Sequence, residues 1–142
     1  MNNNEMILKT EDWITPQGQK VHLAYDAEAD VMEIAFPGVE ADYSIDLTDQ
    51  ITLHFNRKLA RAGGLTFTSY RGLSQPAEVG PRSFPLTGLT HIPARLRPTV
   101  IRILSASPVN HFLRASTLIK PRTKAIPILA IERPAPLAAL FA

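Results

Sequence analysis

Cysteine is absent from the 142 residues, which removes disulfides, thiolate metal sites and a cysteine nucleophile together. Long apolar runs are missing as well. Nothing approaches the roughly eighteen residues that a membrane-spanning helix needs. The start, Met1-Asn2-Asn3-Asn4-Glu5, lacks the basic residues and apolar stretch of a secretory signal. A cytoplasmic protein with no membrane span is therefore expected. Glycine is scarce, 7 residues, whereas proline is plentiful, 12 residues. That is well above the usual share of about 5%, and it implies many element boundaries. With 45% hydrophobic and 20% charged residues, the chain has the composition of a folded domain rather than a disordered one.

Acids are nearly missing from one part of the chain. Residues 1–50 hold eleven of the thirteen acids and only two bases, Lys9 and Lys20, whereas residues 51–142 hold thirteen bases and two acids, Glu78 and Glu132. Net charges of −9 and +11 follow from those counts. Two arrangements account for such a division: the halves complement each other within the molecule or across a dimer, or the basic half meets an external polyanion.

What is present is alternation. In Lys20–Tyr25, Val21, Leu23 and Tyr25 fall on one side. In Val31–Phe36, Met32, Ile34 and Phe36 do so. Val39–Leu47, Ile51–Phe55 and Leu65–Tyr70 repeat the pattern, separated by Asp26–Asp30, Pro37-Gly38, Asn56-Arg57-Lys58 and Gly63-Gly64. Strands of this length with turn residues between them predict an antiparallel meander of about five strands over residues 20–70. The period then changes. Pro93, Pro98 and Pro108 each suit the first turn of a helix, with Thr90 as a cap for the first. Val100, Ile101 and Leu104, then Val109, Phe112 and Leu113, follow at helical spacing. Residues 117–131 return to extended character, where Pro121 and Pro127 imply a sheet edge or an arm. The fold class expected is α+β: a sheet unit over 1–73 and a helical extension with a Pro-rich basic arm over 74–142. The short helices are expected to dock on the exposed face of the sheet, making one unit. The apolar tail supplies Leu137, Leu140 and Phe141 for docking on this chain, a second copy or a partner.

Catalytic constellations do not emerge from spacing. Asp26, Glu28 and Asp30 begin like a calcium loop, but Val31 stands where that loop needs Gly and Pro37 where it needs Glu. The histidines His22, His54, His91 and His111 show no ligand-pair spacing. Ser105 and Ser107 lack the Gly-flanked elbow of a hydrolase. Gly63-Gly64 is followed by a strand rather than by Lys-Ser/Thr, which points to a hairpin or bulge, not a phosphate loop. No cofactor and no metal site is expected. The cations that would contact phosphates in a nucleic-acid reading are Arg95, Arg97, Arg102, Arg114, Lys120, Arg122 and Lys124. They are dispersed, and no aromatic residue accompanies the Lys120–Lys124 segment.

The stretch Val21-His-Leu-Ala-Tyr-Asp-Ala-Glu-Ala-Asp-Val-Met-Glu-Ile-Ala-Phe36 resembles the signature of a small bacterial family of domains of unknown function. Its mark is Tyr-Asp-x-Glu-x-Asp before a short alternating strand, carried here by Tyr25, Asp26, Glu28 and Asp30. The segments Gln50–Leu59 and Gly64–Tyr70 are similar to its second strand–turn–strand. The likeness covers residues 20 to about 73. It departs at Asn56-Arg57-Lys58, where the family turn is acidic and contains Gly. The resemblance implies a small β-rich fold with no assigned activity. Some relatives encoded beside small toxin-like proteins add an antitoxin-like binder to the expectations. Together these readings lead to a non-catalytic interaction module or accessory subunit, self-associating or bound to a protein partner. A nucleic-acid-associated regulator is the alternative.

Overall fold

The computed structural model describes residues 8–74, 83–118 and 126–140. Six strands form one antiparallel sheet: β1 (Leu8–Ile14), β2 (Lys20–Asp26), β3 (Val31–Ala35), β4 (Tyr43–Thr48), β5 (Ile51–Asn56) and β6 (Arg61–Thr68). Their order is β1-β2-β3-β6-β5-β4. Two three-stranded meanders thus stand back to back, joined where β3 pairs with β6, Ile34 opposite Leu65 and Met32 opposite Phe67. This corrects the plain five-strand meander. β1 escapes an apolar-alternation search because its inward side carries Lys9, Glu11 and Trp13, all half-buried at the sheet edge. The predicted Val39–Leu47 strand begins only at Tyr43, since residues 37–42 carry the chain across to the far edge of the sheet. Asp42 N–H ends that passage by donating to the Phe55 carbonyl at 3.1 Å.

Period-two patterning decides the rest. Val21, Leu23, Tyr25, Met32, Ile34, Leu47, Ile51, Leu53, Phe55, Leu65 and Phe67 point to one side, and each is buried. Each such side chain contributes about 1.5–3 kcal/mol by leaving water. Gly63-Gly64 lies inside β6 rather than before it, at a register shift opposite His54 and Phe55. A β-carbon on Gly64 would stand 2.8 Å from the Ile34 carbonyl oxygen, so the two meanders close on a residue without a side chain.

Both inner hairpins turn the same way. Asp26 Oδ1 accepts the Glu28 and Ala29 N–H groups at 3.0 and 3.1 Å, and Asp30 follows at φ 57°. In the second hairpin Asn56 Oδ1 accepts the Leu59 N–H at 2.8 Å, and Ala60 follows at φ 53°. Asp tolerates the left-handed region through local hydrogen bonds, whereas for Ala it costs about 1–2 kcal/mol. Ala60→Gly removes that strain at a smaller entropic cost. It is expected to raise unfolding stability by about 0.5–1 kcal/mol in urea titration; a drop in the midpoint would contradict this account of the turn.

Past α1 (Tyr70–Ser74) the chain builds a second sheet, β7-β9-β8, from β7 (Ser83–Pro85), β8 (Leu113–Leu118) and β9 (Ile126–Ile131). Part of the expected basic arm is therefore a strand pair. Pro127 sits in the central strand, contrary to the edge expectation. It is tolerated because β7 reaches only Ile128, and the Pro127 carbonyl accepts the Leu86 N–H at 3.0 Å beyond that end. Pro121 lies outside the described residues. Pro93 precedes a single tight turn, Ala94–Leu96, and Pro98 lies in the first turn of α2 (Arg97–Leu104). The buried stripe of α2 is Val100, Ile103 and Leu104, while Ile101 stays 40% exposed. Thr90 caps nothing; its hydroxyl donates to Thr87 within the turn Thr87–His91. The last described helix is α3 (Leu137–Leu140).

A single apolar cluster joins Leu23, Ile34, Phe55 and Phe67 to Val100, Leu104, Phe112 and Leu129. The two sequence regions therefore share one core. The helices pack on the apolar face of the large sheet, not on its exposed face as expected, because that is where the area to be buried lies. No helix among the described residues is long and apolar enough to cross a membrane.

Candidate functional site

The signature residues build a lock rather than a binding loop. Asp30, at the end of the β2–β3 turn, receives three hydrogen bonds across its carboxylate and carbonyl. Tyr25 Oη–H donates to Oδ1 at 2.5 Å, the Arg71 N–H donates to Oδ1 at 3.0 Å, and the Tyr70 N–H donates to the Asp30 carbonyl at 3.1 Å. Asp30 thereby satisfies N–H groups at the start of α1, which has no partner inside its own helix for them. Burial, then the hydrogen bond and charge of Asp30, push the Tyr25 phenol up to about 12. Burial does the same to Tyr70, against the opposing pull of Arg133. Arg133 Nη2 also donates to Ser74 Oγ at 2.6 Å, fastening α1 from the second sheet side of the chain. Asp26 and Asp30 are thus occupied by N–H groups, and Glu28 is exposed. No group of three metal-ligating side chains occurs among the described residues.

Arg97 Nε donates to the Leu89 carbonyl at 2.8 Å, and Arg114 Nε pairs with Glu132 at 2.8 Å. Arg95 is exposed. Arg102 lines a cleft at the end of the large sheet. Lys120, Arg122 and Lys124 lie outside the described residues. The tail residues need correcting: Leu137 and Leu140 are 1% and 2% exposed inside this chain's own core, so they offer a partner no surface. Phe141 lies outside the described residues.

Ser107 and His111 come together where spacing did not bring them. His111 Nε2 lies 3.1 Å from Ser107 Oγ and 3.0 Å from Gln17 Oε1. Ser107 Oγ also meets Gln19 Oε1, and Gln19 Nε2 donates to the Ser107 carbonyl at 3.1 Å. The cluster therefore pins the β1–β2 turn to the segment after α2, and Trp13 packs edge-on against His111 with ring centroids 5.2 Å apart.

Among the described residues the other face of the large sheet carries no packed element except the crossover, whose Val39 and Ala41 border it at Gly63-Gly64. Paired residues share a face, so the registers place Thr10, Ala24, Glu33, Thr66, Thr52 and Asp46 in one row across all six strands. Asp12, His22, Ala35, Gly64, His54 and Ser44 form the next. Asp12 bonds His22 at 2.6 Å, Thr52 donates to Asp46 at 2.8 Å, and His54 joins Ser44 and Thr66 at 2.7 and 2.8 Å. Glu33 stands beside a shallow hollow of about 330 Å³ floored by Gly63-Gly64. The acids of the face are Asp12, Asp26, Glu33 and Asp46. Its cations, Lys20 and Arg61, sit only at strand ends. Four of the eleven acids of residues 1–50 thus share one side of the sheet.

These features define a mostly antiparallel α+β protein with one covered and one open sheet face. No family model, no curated protein and no solved structure matches the chain.

Proposed function

We propose that this protein is a non-catalytic interaction module, an accessory subunit that docks a basic protein surface on the open face of its six-stranded sheet. One observation carries the proposal: that face combines four carboxylates, three of them also hydrogen-bonded within the chain, with short side chains, Ala24, Ala35, Ser44, Thr52, Gly64 and Thr66. Short side chains let a partner's surface approach closely, and carboxylates of one sign favour a cationic one. A symmetric copy stacked on the same face would bring acid against acid, so a different protein is the better occupant. Arg97 and Arg114 are already engaged within the chain, which leaves less for the nucleic-acid alternative.

The test is a photo-crosslinker at Ala35 in the native host, with and without Glu33→Lys plus Asp46→Lys. Both altered positions are exposed, so the fold should persist and melting should barely change. A basic protein crosslinked by the parent and lost at least tenfold in the double variant is the expected result. Equal capture by both forms, or crosslinking to nucleic acid instead, refutes the docking face.

A further inference from the structure

The cleft that holds Arg102 is a different place with different chemistry. It lies where the β1–β2 turn, the exit of β3 and the β5–β6 hairpin meet the end of α2, and it encloses about 530 Å³. That volume is within the roughly 300–1,000 Å³ of small-molecule sites. Three cations line it, Lys20 at the head of β2, Arg61 at the head of β6 and Arg102 on α2, and no carboxylate does. Among the described residues none of the three takes part in an ion pair. Its accessible apolar lining is Pro37, Val39 and Pro108, over the buried Phe36, Ile103 and Val109.

The comparison of the two hairpins explains the room. In the first, the left-handed position carries Asp30, whose carboxylate meets the N–H groups of α1, and Met32 fills the core two residues on. In the second, the same offset from the strand end gives Ala60, with no charge, and Ala62, with far less volume; both line the cleft. The first hairpin brings its own anion to the helix beside it. The second leaves cations facing a space.

We propose that this cleft binds a small organic phosphate: the phosphate oxygens on Lys20, Arg61 and Arg102, the apolar or planar body against Pro37, Val39 and Pro108. Arginine presents paired N–H donors that match phosphate oxygens, and two arginines with a lysine suit a group of at least two negative charges. No bond is made or broken; the site is one of recognition. It borders the open sheet face through Lys20 and Arg61 but uses none of that face's carboxylates, so either proposal can fail alone.

Adenosine 5′-diphosphate is a suitable probe, with adenosine and inorganic pyrophosphate as comparators, titrated into the full chain at low salt. Amide chemical shifts are followed by NMR and heats by calorimetry. Adenosine diphosphate should move the amides around Lys20, Arg61 and Arg102, bind more tightly than pyrophosphate, and lose affinity as salt rises. Adenosine should do nothing. Arg61→Ala and Arg102→Ala should each weaken binding about tenfold, as expected for one charge-assisted contact, with circular dichroism unchanged because both side chains are exposed. Glu33→Lys plus Asp46→Lys should leave the affinity intact. The proposal is overturned if neither phosphate compound shifts those amides, if the shifts map elsewhere, or if both arginine variants bind as the parent does. It is also overturned if single-stranded RNA binds this region while adenosine diphosphate does not.

Discussion

Gly88→Ala is expected to lower the melting midpoint by about 10 °C. The turn Thr87–His91 lies directly on the backbone of β4, with Gly88 as the point of contact. A β-carbon there would stand 1.7 Å from the Asp46 carbonyl oxygen, 2.8 Å from its carbon and 3.0 Å from Leu47 Cα. Real atoms do not approach so closely, and no flexible side chain can yield. The two backbones must separate. That breaks the packing of Leu86 and Ile92, which flank the turn and are both buried. Overpacking of a closed core costs about 1–3 kcal/mol, and an obstruction between two backbones belongs at the upper end. For a domain of this size each kcal/mol moves the midpoint by about 2–4 °C. Gly72→Ala is the control, because a β-carbon there meets nothing within 4 Å and the residue is helical. Differential scanning calorimetry separates the two. A Gly88→Ala midpoint within about 2 °C of the parent would mean that the turn lifts off β4 at little cost, against the packing described.

Substitutions at Asp30 should sort by what each removes. Asp30→Ala takes away the acceptor of the Tyr25 hydroxyl and of the Arg71 N–H, and it leaves a β-carbon at φ 57° without the polar side chain that makes that conformation tolerable. Two lost charge-assisted bonds and the backbone strain together should cost about 3 kcal/mol. Asp30→Gly keeps the backbone comfortable but loses the acceptors. Asp30→Asn keeps both the left-handed tolerance and one acceptor oxygen, and should cost about 1 kcal/mol. Chemical denaturation gives the order Asn, Gly, Ala from mild to severe; Ala milder than Gly would remove the strain argument. The phenol of Tyr25 supplies a second readout. Its ionisation, held up at about 12 against an ordinary 10.0, should fall part of the way back in Asp30→Asn, because burial, the largest cause, remains. The sign for stability follows. A raised phenol favours the folded state while neutral, so its contribution is whole below pH 10 and is lost as pH climbs toward 12. Tyr25 and Tyr70 share that window, and the alkaline loss should be shallower in Asp30→Asn than in the parent.

The apolar alternation of β2, β3 and β5 was plain in the sequence because each buries a full row of large side chains on one face only. β1 was not, because its inner side at the sheet edge is only half-buried and can carry Lys9 and Glu11. Strand order was hidden for a different reason: local pattern says which face a residue occupies, not which strand stands beside it. The pairing of β3 with β6 rests on Gly64 fitting under the Ile34 carbonyl, a contact between residues far apart in the chain. Prolines located the turns near 93, 98 and 108, but Pro127 misled. The rule against proline in central strands depends on where the neighbour ends, and that is a tertiary fact. Of the candidate residues, Tyr25, Asp26 and Asp30 were recognisable as a group from the motif, and their geometry supplies a structural role. Lys20, Arg61 and Ser107 carried no signal, since the segments that bring them to the cleft and its wall are joined only by folding.

The β3–β6 seam has a consequence for synthesis on the ribosome. Residues 8–35 emerge as a finished three-strand meander, yet one long side of β3 remains unpaired until Arg61–Thr68 has been made. During that interval Val31–Ala35 is a bare strand edge with Met32 and Ile34 uncovered, the kind of template on which a neighbouring nascent chain can pair. Glu33, on the open face of that strand, sets one charge among its apolar residues, a placement that opposes pairing between half-made chains.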